Sequence, residues 1–422
     1  MTRPPRLALF EFGHFGHRPY HLALLIKAWK KRSGNDELAV VVTPRFAAAH
    51  ADVLALAAET AGPPVRCVVL SDRDDALLAT ARQRTAVPTA DFAKARLAPD
   101  DWSRRHWEVF NRYAAQLRPA HSLLMYLDAY LLPIAMAQPT AGAFSGIFFR
   151  PSYHYPPAAG PADLKAETLQ KMQERFLIAR MLKHPSLSRV FCLDPTFVAQ
   201  HRTTSGAPVL ALADPIELPR DLPADGGTDD LRARFGIESG RKAFLFFGAL
   251  DDRKGTWQLL AALKRLPDET CRQFCLLLVG TPPADRTPQL QKCLADLAAA
   301  KPLQIVTQLA FVTDAEMWAY FRAADAVLAV YQRHVGMSGI SLWAAAFQKP
   351  LLTQDYGVLG ALAKAHRLGQ VTDTTDPEAI AAALTAMVAG DPQSLCDRAA
   401  MQRFAESNDA AIYSDTLYRH LL

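Results

Sequence analysis

The chain has 422 residues, 50% of them hydrophobic and 21% charged, with 47 lysines and arginines against 42 aspartates and glutamates for a net charge of +5. That composition suits two or three globular domains with sizeable cores and excludes a disordered or fibrous chain. The charge is too evenly balanced to make nucleic acid the expected partner, and no run reaches the ~20 apolar residues of a membrane span.

The six cysteines (Cys67, Cys192, Cys271, Cys275, Cys293 and Cys396) are scattered, several of them inside apolar runs such as RCVVL and VFCLD. They read as reduced core residues. Cys271 and Cys275 form a CxxxC without a second pair behind it, so no zinc site is expected. Near the start, only Leu7 to Phe10 is uninterruptedly apolar, shorter than a signal-peptide core, and a cytoplasmic protein is expected.

In chain order, Leu7 to Phe12 reads as a strand. It runs through Gly13-His14-Phe15-Gly16-His17-Arg18-Pro19-Tyr20 into a helical stretch, His21 to Lys31. Further apolar runs follow at Leu38 to Val42, Val65 to Leu70, Ser122 to Tyr126, Ser145 to Phe149, Val190 to Leu193 and Val209 to Leu212. Continuous apolar strands separated by helix-length segments imply a parallel sheet covered on both faces. Loops at strand carboxyl ends then hold Asp128 and Tyr130, and Arg150 to His154, where open α/β sheets bind ligands. Asp72-Arg73-Asp74-Asp75 contains a DxD pattern, but an arginine splits its acids and it is expected to be a solvated loop rather than a metal site.

The Pro-, Gly- and Asp-rich segment DPIELPRDLPADGGTDD is the expected linker, taken as residues 216–240. A second series of strands follows at Phe244 to Phe247, Cys275 to Gly280, Gln304 to Thr307, Ala326 to Tyr331 and Pro350 to Thr353. Asp376-Pro377 starts a helix running to about Val388. The fold expected is α/β, two doubly wound parallel-sheet domains facing a cleft. The first spans 1–215 and the second 241–396, and residues 397–422 form a helix packing back toward the first.

Two loops of the second half suit anions. In AFLFFGALDDRKGTWQLLAAL, Arg253 and Lys254 stand between a buried strand and a helix amino end. Between the Ala326 strand and an alanine-rich helix, Leu342 to Phe347, comes a loop containing His334, Val335, Gly336, Met337, Ser338 and Gly339. Its glycines expose amides at a helix start, and Ser338 and His334 offer a hydroxyl and a switchable charge.

These motifs, with LLLVG, AADAVLAVY and KPLLTQDYGVLGAL, resemble the nucleotide-sugar domain of GT-B glycosyltransferases close to the family-4 (group 1) retaining enzymes. The likeness is strongest over residues 243–390. HPSLSRVFCLDPTFVAQ resembles that family's last amino-domain strand and helix. The resemblance implies a glycosyltransferase that moves a sugar from a nucleotide-diphosphate donor to an acceptor hydroxyl. No cofactor is expected beyond the donor substrate. It places Arg253, Lys254 and Gly336 to Gly339 at the donor diphosphate, where cations and amides would stabilise the leaving group without a metal. His17, Asp128 and His154 are the candidate catalytic residues, and Gly16, Arg253, Lys254, His334, Gly336, Met337, Ser338 and Gly339 the candidate donor-binding set. The family's two glutamates eight residues apart are missing, since Val335 and Trp343 stand in their places. A nucleotide-sugar 2-epimerase and an inactive nucleotide-sugar-binding protein are the alternatives.

The acceptor is open between a glycan, a lipid-linked sugar, a protein and a small molecule. The helix HLALLIKAWKKR sets Leu22, Leu25 and Trp29 near Lys27, Lys30, Lys31 and Arg32, and Lys165 to Lys183 adds Lys171, Arg175 and Arg180. Such segments lie either on an anionic membrane surface or with their apolar sides in the core, so peripheral membrane contact is one of two expectations.

Overall fold

The computed structural model describes residues 4–84, 101–157, 164–203, 205–218 and 228–422. The chain divides into two compact units, residues 1–215 with 410–422 and residues 216–409.

Unit 1 is built on seven strands, Leu7–Glu11 (β1), Leu38–Val42 (β2), Val65–Val69 (β3), His121–Leu124 (β4), Phe144–Phe148 (β5), Leu187–Cys192 (β6) and Val209–Ala211 (β7). Their order is β3-β2-β1-β4-β5-β6-β7, and every pairing is parallel. The strands β1, β2 and β5 are buried along their whole length, as continuous apolar runs such as LALFE and LAVVV require between two helical layers.

Unit 2 has six strands, Lys242–Phe247 (β8), Phe274–Val279 (β9), Gln304–Gln308 (β10), Ala326–Ala329 (β11), Leu351–Gln354 (β12) and Gly369–Thr372 (β13), in the order β10-β9-β8-β11-β12-β13. In each unit the chain builds outward from its first strand to one side, then returns to build to the other. The strand order reverses between β1 and β4 in unit 1 and between β8 and β11 in unit 2, and ligands bind outside the strand carboxyl ends at such reversals. The loops singled out from the sequence follow β1, β8 and β11.

Three expectations are corrected. The acids from Asp72 to Asp75 open a helix, Asp72–Arg84, and Asp74 is 4% exposed. Its carboxylate is bonded to the Ser71 hydroxyl at 2.8 Å, the Tyr113 hydroxyl at 3.1 Å and the Arg112 guanidinium, so it is a structural anchor and not a solvated acid. Within the expected linker, Thr228–Arg234 is helical, and Arg232 pairs with Asp325 at 2.9 Å, which fastens it to unit 2; residues 219–227 lie outside the described ones. Residues 397–422 hold two helices instead of one, Arg398–Ser407 in unit 2 and Ala410–Leu421 in unit 1. Of the two expectations for the first helix, Arg18–Lys30, the structure selects the core: Leu22 and Leu25 are fully buried and Trp29 is 1% exposed, so that stripe is not free to meet a membrane.

Candidate active site

The unit 2 crevice is made by two loops. At the end of β8 the backbone turns at Gly248, whose φ of 111° lies in the left-handed region, and a Cβ there would stand 2.7 Å from the Lys254 ammonium. Glycine lets the cation fold back over the strand end. Lys254 is 8% exposed, its Nζ donates to the Phe247 carbonyl at 3.1 Å, and it lies 5.0 Å from the Tyr331 ring centroid. No carboxylate among the described residues pairs with it. Asp251 accepts from the Lys254 backbone N–H at 2.9 Å, and Asp252 accepts from the Trp257 indole at 2.7 Å, so both acids of this loop hold the turn. Arg253 is one-third exposed, 5.3 Å from the Tyr331 ring centroid and 3.9 Å from Asp251.

The second loop, after β11, leans on the first. Gln332 donates its N–H to the Arg253 carbonyl at 2.9 Å, and its side chain donates to the Val330 and Thr374 carbonyls at 3.0 and 2.7 Å. The His334 N–H donates to the buried Gln354 side chain at 3.0 Å, and Gln354 donates back to the His334 carbonyl. The His334 ring stacks on Tyr331 at 5.2 Å. Ser338 caps the Gly339–Ala346 helix through its side chain, and its hydroxyl is 2.5 Å from the Tyr331 hydroxyl. That hydroxyl is already engaged twice, so Ser338 shapes the loop, and the amides are what the helix start offers a ligand. Met337 is half-buried with its carbonyl 3.4 Å from the His334 ring; Gly336 is buried and Gly339 exposed.

Tyr331 was not singled out from the sequence. Burial opposes its ionisation, but Lys254 and the bonds from Lys254 and Ser338 outweigh that and lower its pKa below 10. The signal available was an aromatic residue ending an apolar strand just before a polar loop. Trp343 packs against Trp318 and Phe347, with ring centroids 6.4 and 6.3 Å away, and Val335 is half-buried.

The unit 1 crevice repeats the plan with one change. Arg18 folds back against the end of β1, where a Cβ on Gly13 would fall on its guanidinium. Here a carboxylate meets the cation. Glu11, 2% exposed, accepts from Arg18 Nη1 at 2.5 Å and from the Gly13 N–H at 2.7 Å, and the guanidinium lies 3.9 Å over the Tyr126 ring. Phe12, Trp102, His106 and Tyr130 complete this pocket. Glu11 was missed in the sequence; its signal is a lone acid closing a fully apolar strand.

Of the three candidate catalytic residues, His17 and Asp128 both lie against Phe149, while His154 is engaged with Asp194 and Thr196. His17 is exposed, its ring 4.9 Å from Phe149 and 4.6 Å from His21, and Gly16 beside it has a φ of 65°. Desolvation and the Arg18 and Arg150 charges lower the His17 pKa to about 3. Its exposed edge lets water offset part of the desolvation, while both cations preserve the direction. Asp128 is 4% exposed, and its carboxylate accepts from the Phe149 and Arg150 amides at 2.9 and 3.0 Å, bracing the end of β5. The His154 side chain, 2% exposed, is turned inward, with Nε2 2.9 Å from Asp194 and 3.0 Å from Thr196. Tyr155 donates to the same Asp194 at 2.7 Å. Burial raises the Asp194 pKa, but the bonds from His154, Thr196 and Tyr155 outweigh it and hold the carboxyl below 3.8. This is a buried brace between the loop after β5 and the helix after β6.

Residues 227–405 match the family described as glycosyl transferases group 1. The D-inositol 3-phosphate glycosyltransferase of Corynebacterium urealyticum is 30% identical over 194 residues, 44% of this chain and 43% of that protein, so the match spans less than half of that relative. Among solved structures, the N-terminal domain of Candida albicans trehalose-6-phosphate phosphatase is similar with a TM-score of 0.68 at 14% identity, over 100% of this chain and 97% of that one. Sucrose-phosphate synthase from Thermosynechococcus elongatus gives 0.63 at 16%, over 99% of each chain. The Anabaena protein HepE in complex with UDP gives 0.63 at 12%, again over 99% of each. At such identities the likeness is one of fold, two parallel-sheet α/β domains of the GT-B type. The match to the group 1 glycosyl transferases covers residues 227–405, which hold all six strands of unit 2, and over the whole chain the likeness is one of fold.

Proposed function

We propose that the protein transfers a sugar from a nucleotide-diphosphate donor to an acceptor hydroxyl, with the donor diphosphate held in unit 2 and no metal taking part. The observation that carries this reading is Lys254, a buried ammonium at the strand-order reversal with carbonyl and aromatic neighbours and no carboxylate among the described residues. A buried charge without a counterion is costly, and an anionic ligand removes that cost. Arg253 and the amides at the start of the Gly339–Ala346 helix add positive potential on the same side. As the bond from the anomeric carbon to the diphosphate oxygen breaks, charge develops on phosphate, and fixed cations and amides stabilise it. In unit 1 the Arg18 charge is met by Glu11, so that crevice suits a neutral, hydroxyl-rich acceptor with an aromatic wall. HepE has been solved with UDP and with UDP-glucose, which makes uridine donors the first to try.

Lys254→Ala tests the reading. The variant is expected to lose about 3–4 kcal/mol of transition-state stabilisation, roughly a hundred- to thousandfold in turnover, and to bind UDP correspondingly weakly. EDTA is expected to leave the parent rate unchanged. Parental turnover in Lys254→Ala removes the assignment, and a rate abolished by EDTA and restored by a divalent ion removes metal independence. Val335 and Trp343, apolar where the resemblance leads one to expect carboxylates, favour a second reading, donor binding without turnover. Tight donor binding with no product across acceptor classes would select it. An epimerase needs free paired acids, and Asp251 and Asp252 are both bonded within their loop.

A further inference from the structure

The Leu164–Met181 helix of unit 1 is the element whose outer face the catalytic reading leaves unused. Its inner face buries Glu174, Leu177, Ile178 and Met181. Its outer face is not the polar surface that a helix on a solvated domain presents. Leu169, Met172 and Phe176 are 57%, 64% and 60% exposed, and their spacing of three and four residues places them on one stripe. Adjacent large apolar side chains held in water mark an interaction surface, unlike the scattered exposure common on any protein.

Among the described residues of the helix and its carboxyl end, the exposed charges beside the stripe have one sign. Lys165, Arg175 and Arg180 on the helix and Lys183 just beyond it are exposed, and the Arg180 guanidinium lies 5.8 Å from the Phe176 ring centroid. Both acids of the helix are withdrawn from this face. Glu167 pairs with Lys171 at 3.6 Å, and Glu174, 1% exposed, accepts from the Ser152 N–H at 3.0 Å and from its hydroxyl. The stripe is short, roughly 10 Å from Leu169 to Phe176 at 1.5 Å per residue. Three side chains over that length fall well below the ~800 Å² per partner of a stable protein interface. They are enough, together with four cations, for shallow seating at a lipid headgroup boundary, where the apolar side chains enter and the cations stay with the phosphates.

We propose that the Leu164–Met181 helix is a peripheral docking surface for an anionic lipid membrane, with Leu169, Met172 and Phe176 inserted at the headgroup boundary and Lys165, Arg175, Arg180 and Lys183 against lipid phosphates. This goes beyond glycosyl transfer and does not rest on it, because the binding is read without donor or acceptor. The first helix cannot serve in its place, since Leu22, Leu25 and Trp29 are in the core.

The test is cosedimentation of the full chain with vesicles of phosphatidylcholine alone and of phosphatidylcholine with phosphatidylglycerol, at low and high salt. The parent is expected to bind the anionic vesicles at low salt, to release them at high salt, and to leave neutral vesicles largely unbound. Lys165→Gln with Lys183→Gln is expected to weaken binding about thirtyfold, from about 1 kcal/mol per cation. Met172→Gln with Phe176→Gln is expected to weaken it about tenfold or more. All four side chains are exposed, so both double variants should melt as the parent does, which separates lost docking from lost folding. No binding to anionic vesicles at low salt overturns the proposal, as does binding that either double variant leaves intact. A concentration-dependent dimer that Met172→Gln with Phe176→Gln disperses, without vesicle binding, would give the stripe to a second copy of the chain and equally overturn it.

Discussion

Lys254 and Arg18 occupy equivalent places, each folded back on a glycine at the end of its unit's first strand, and they differ in whether a carboxylate meets the charge. That difference is why the proposed function puts the donor diphosphate in unit 2. A second residue carries a prediction of its own. Asp214 is half-buried beside His21, 3.8 Å from its Nε2, and desolvation lifts the carboxyl pKa to about 7, while desolvation and then His17 and Arg18 hold His21 well below 6.5. The pair is therefore neutral over much of its range. A carboxyl raised in the folded state keeps its proton there while the unfolded chain has already ionised. The stability linked to it is full below about pH 3.8 and is lost as pH rises to about 7. Asp214→Asn cannot ionise, so its stability relative to the parent is expected to rise between about pH 4 and about pH 8, by up to a few kcal/mol. Thermal melts across that range check it, and a difference that is flat with pH would remove this acid from the account.

At the scale of elements, the polar residues in loops after strands divide into those the proposed function gives to a ligand and those that hold the loops. Asp128 belongs to the second kind. Its short helical turn, Leu127–Tyr130, lies beside β5, and its carboxylate receives two amides that the sheet has stopped satisfying. Asp128→Asn keeps one acceptor oxygen, and the amide left without a partner costs about 1–3 kcal/mol. Urea unfolding is expected to show that loss. The pH profile of turnover should keep its shape, whereas a general acid or base at this position would change it on substitution. The brace of His154, Asp194, Thr196 and Tyr155 does the same further along the loop after β5. Loops that carry binding groups are held by such bonds because only rigid placement keeps a cation at one distance from its ligand.

At the scale of the whole molecule, the chain leaves unit 1 after Pro215 and returns to it at Ala410. The returning helix, Ala410–Leu421, is part of the unit 1 core. The Tyr418 hydroxyl donates to the Leu25 carbonyl at 2.6 Å and its ring is 5.5 Å from Trp29, while Tyr413 sits 5.2 Å from His21. Tyr413, Leu417, Tyr418 and Leu421 are all buried, and each such side chain contributes about 1.5–3 kcal/mol. Removing residues 410–422 is expected to destabilise unit 1 by several kcal/mol and to leave unit 2 folded. Hydrogen exchange would read this as faster exchange in β1 and β2 with β8 and β9 unchanged. Equal loss of protection in both units would show that the C-terminal helix supports the molecule as a whole.

The sequence by itself determined the alternation of buried strands and helices, the division into two parallel sheets, and the cations and glycines after β8 and β11, because burial on both faces demands continuous apolar runs and tight turns demand glycine. It did not reveal β13, since GQVT carries no apolar run and becomes a strand only by pairing with β12. Tertiary structure decided which charges have partners. Lys254 and Arg18 look alike in the sequence, and the Glu11 carboxylate that separates them lies seven residues from Arg18, across a turn whose path the local pattern does not specify. Tertiary structure also turned His154 inward and the stripe of Leu169, Met172 and Phe176 outward. Helical spacing says which residues share a face; only the packing of distant segments says whether that face is covered.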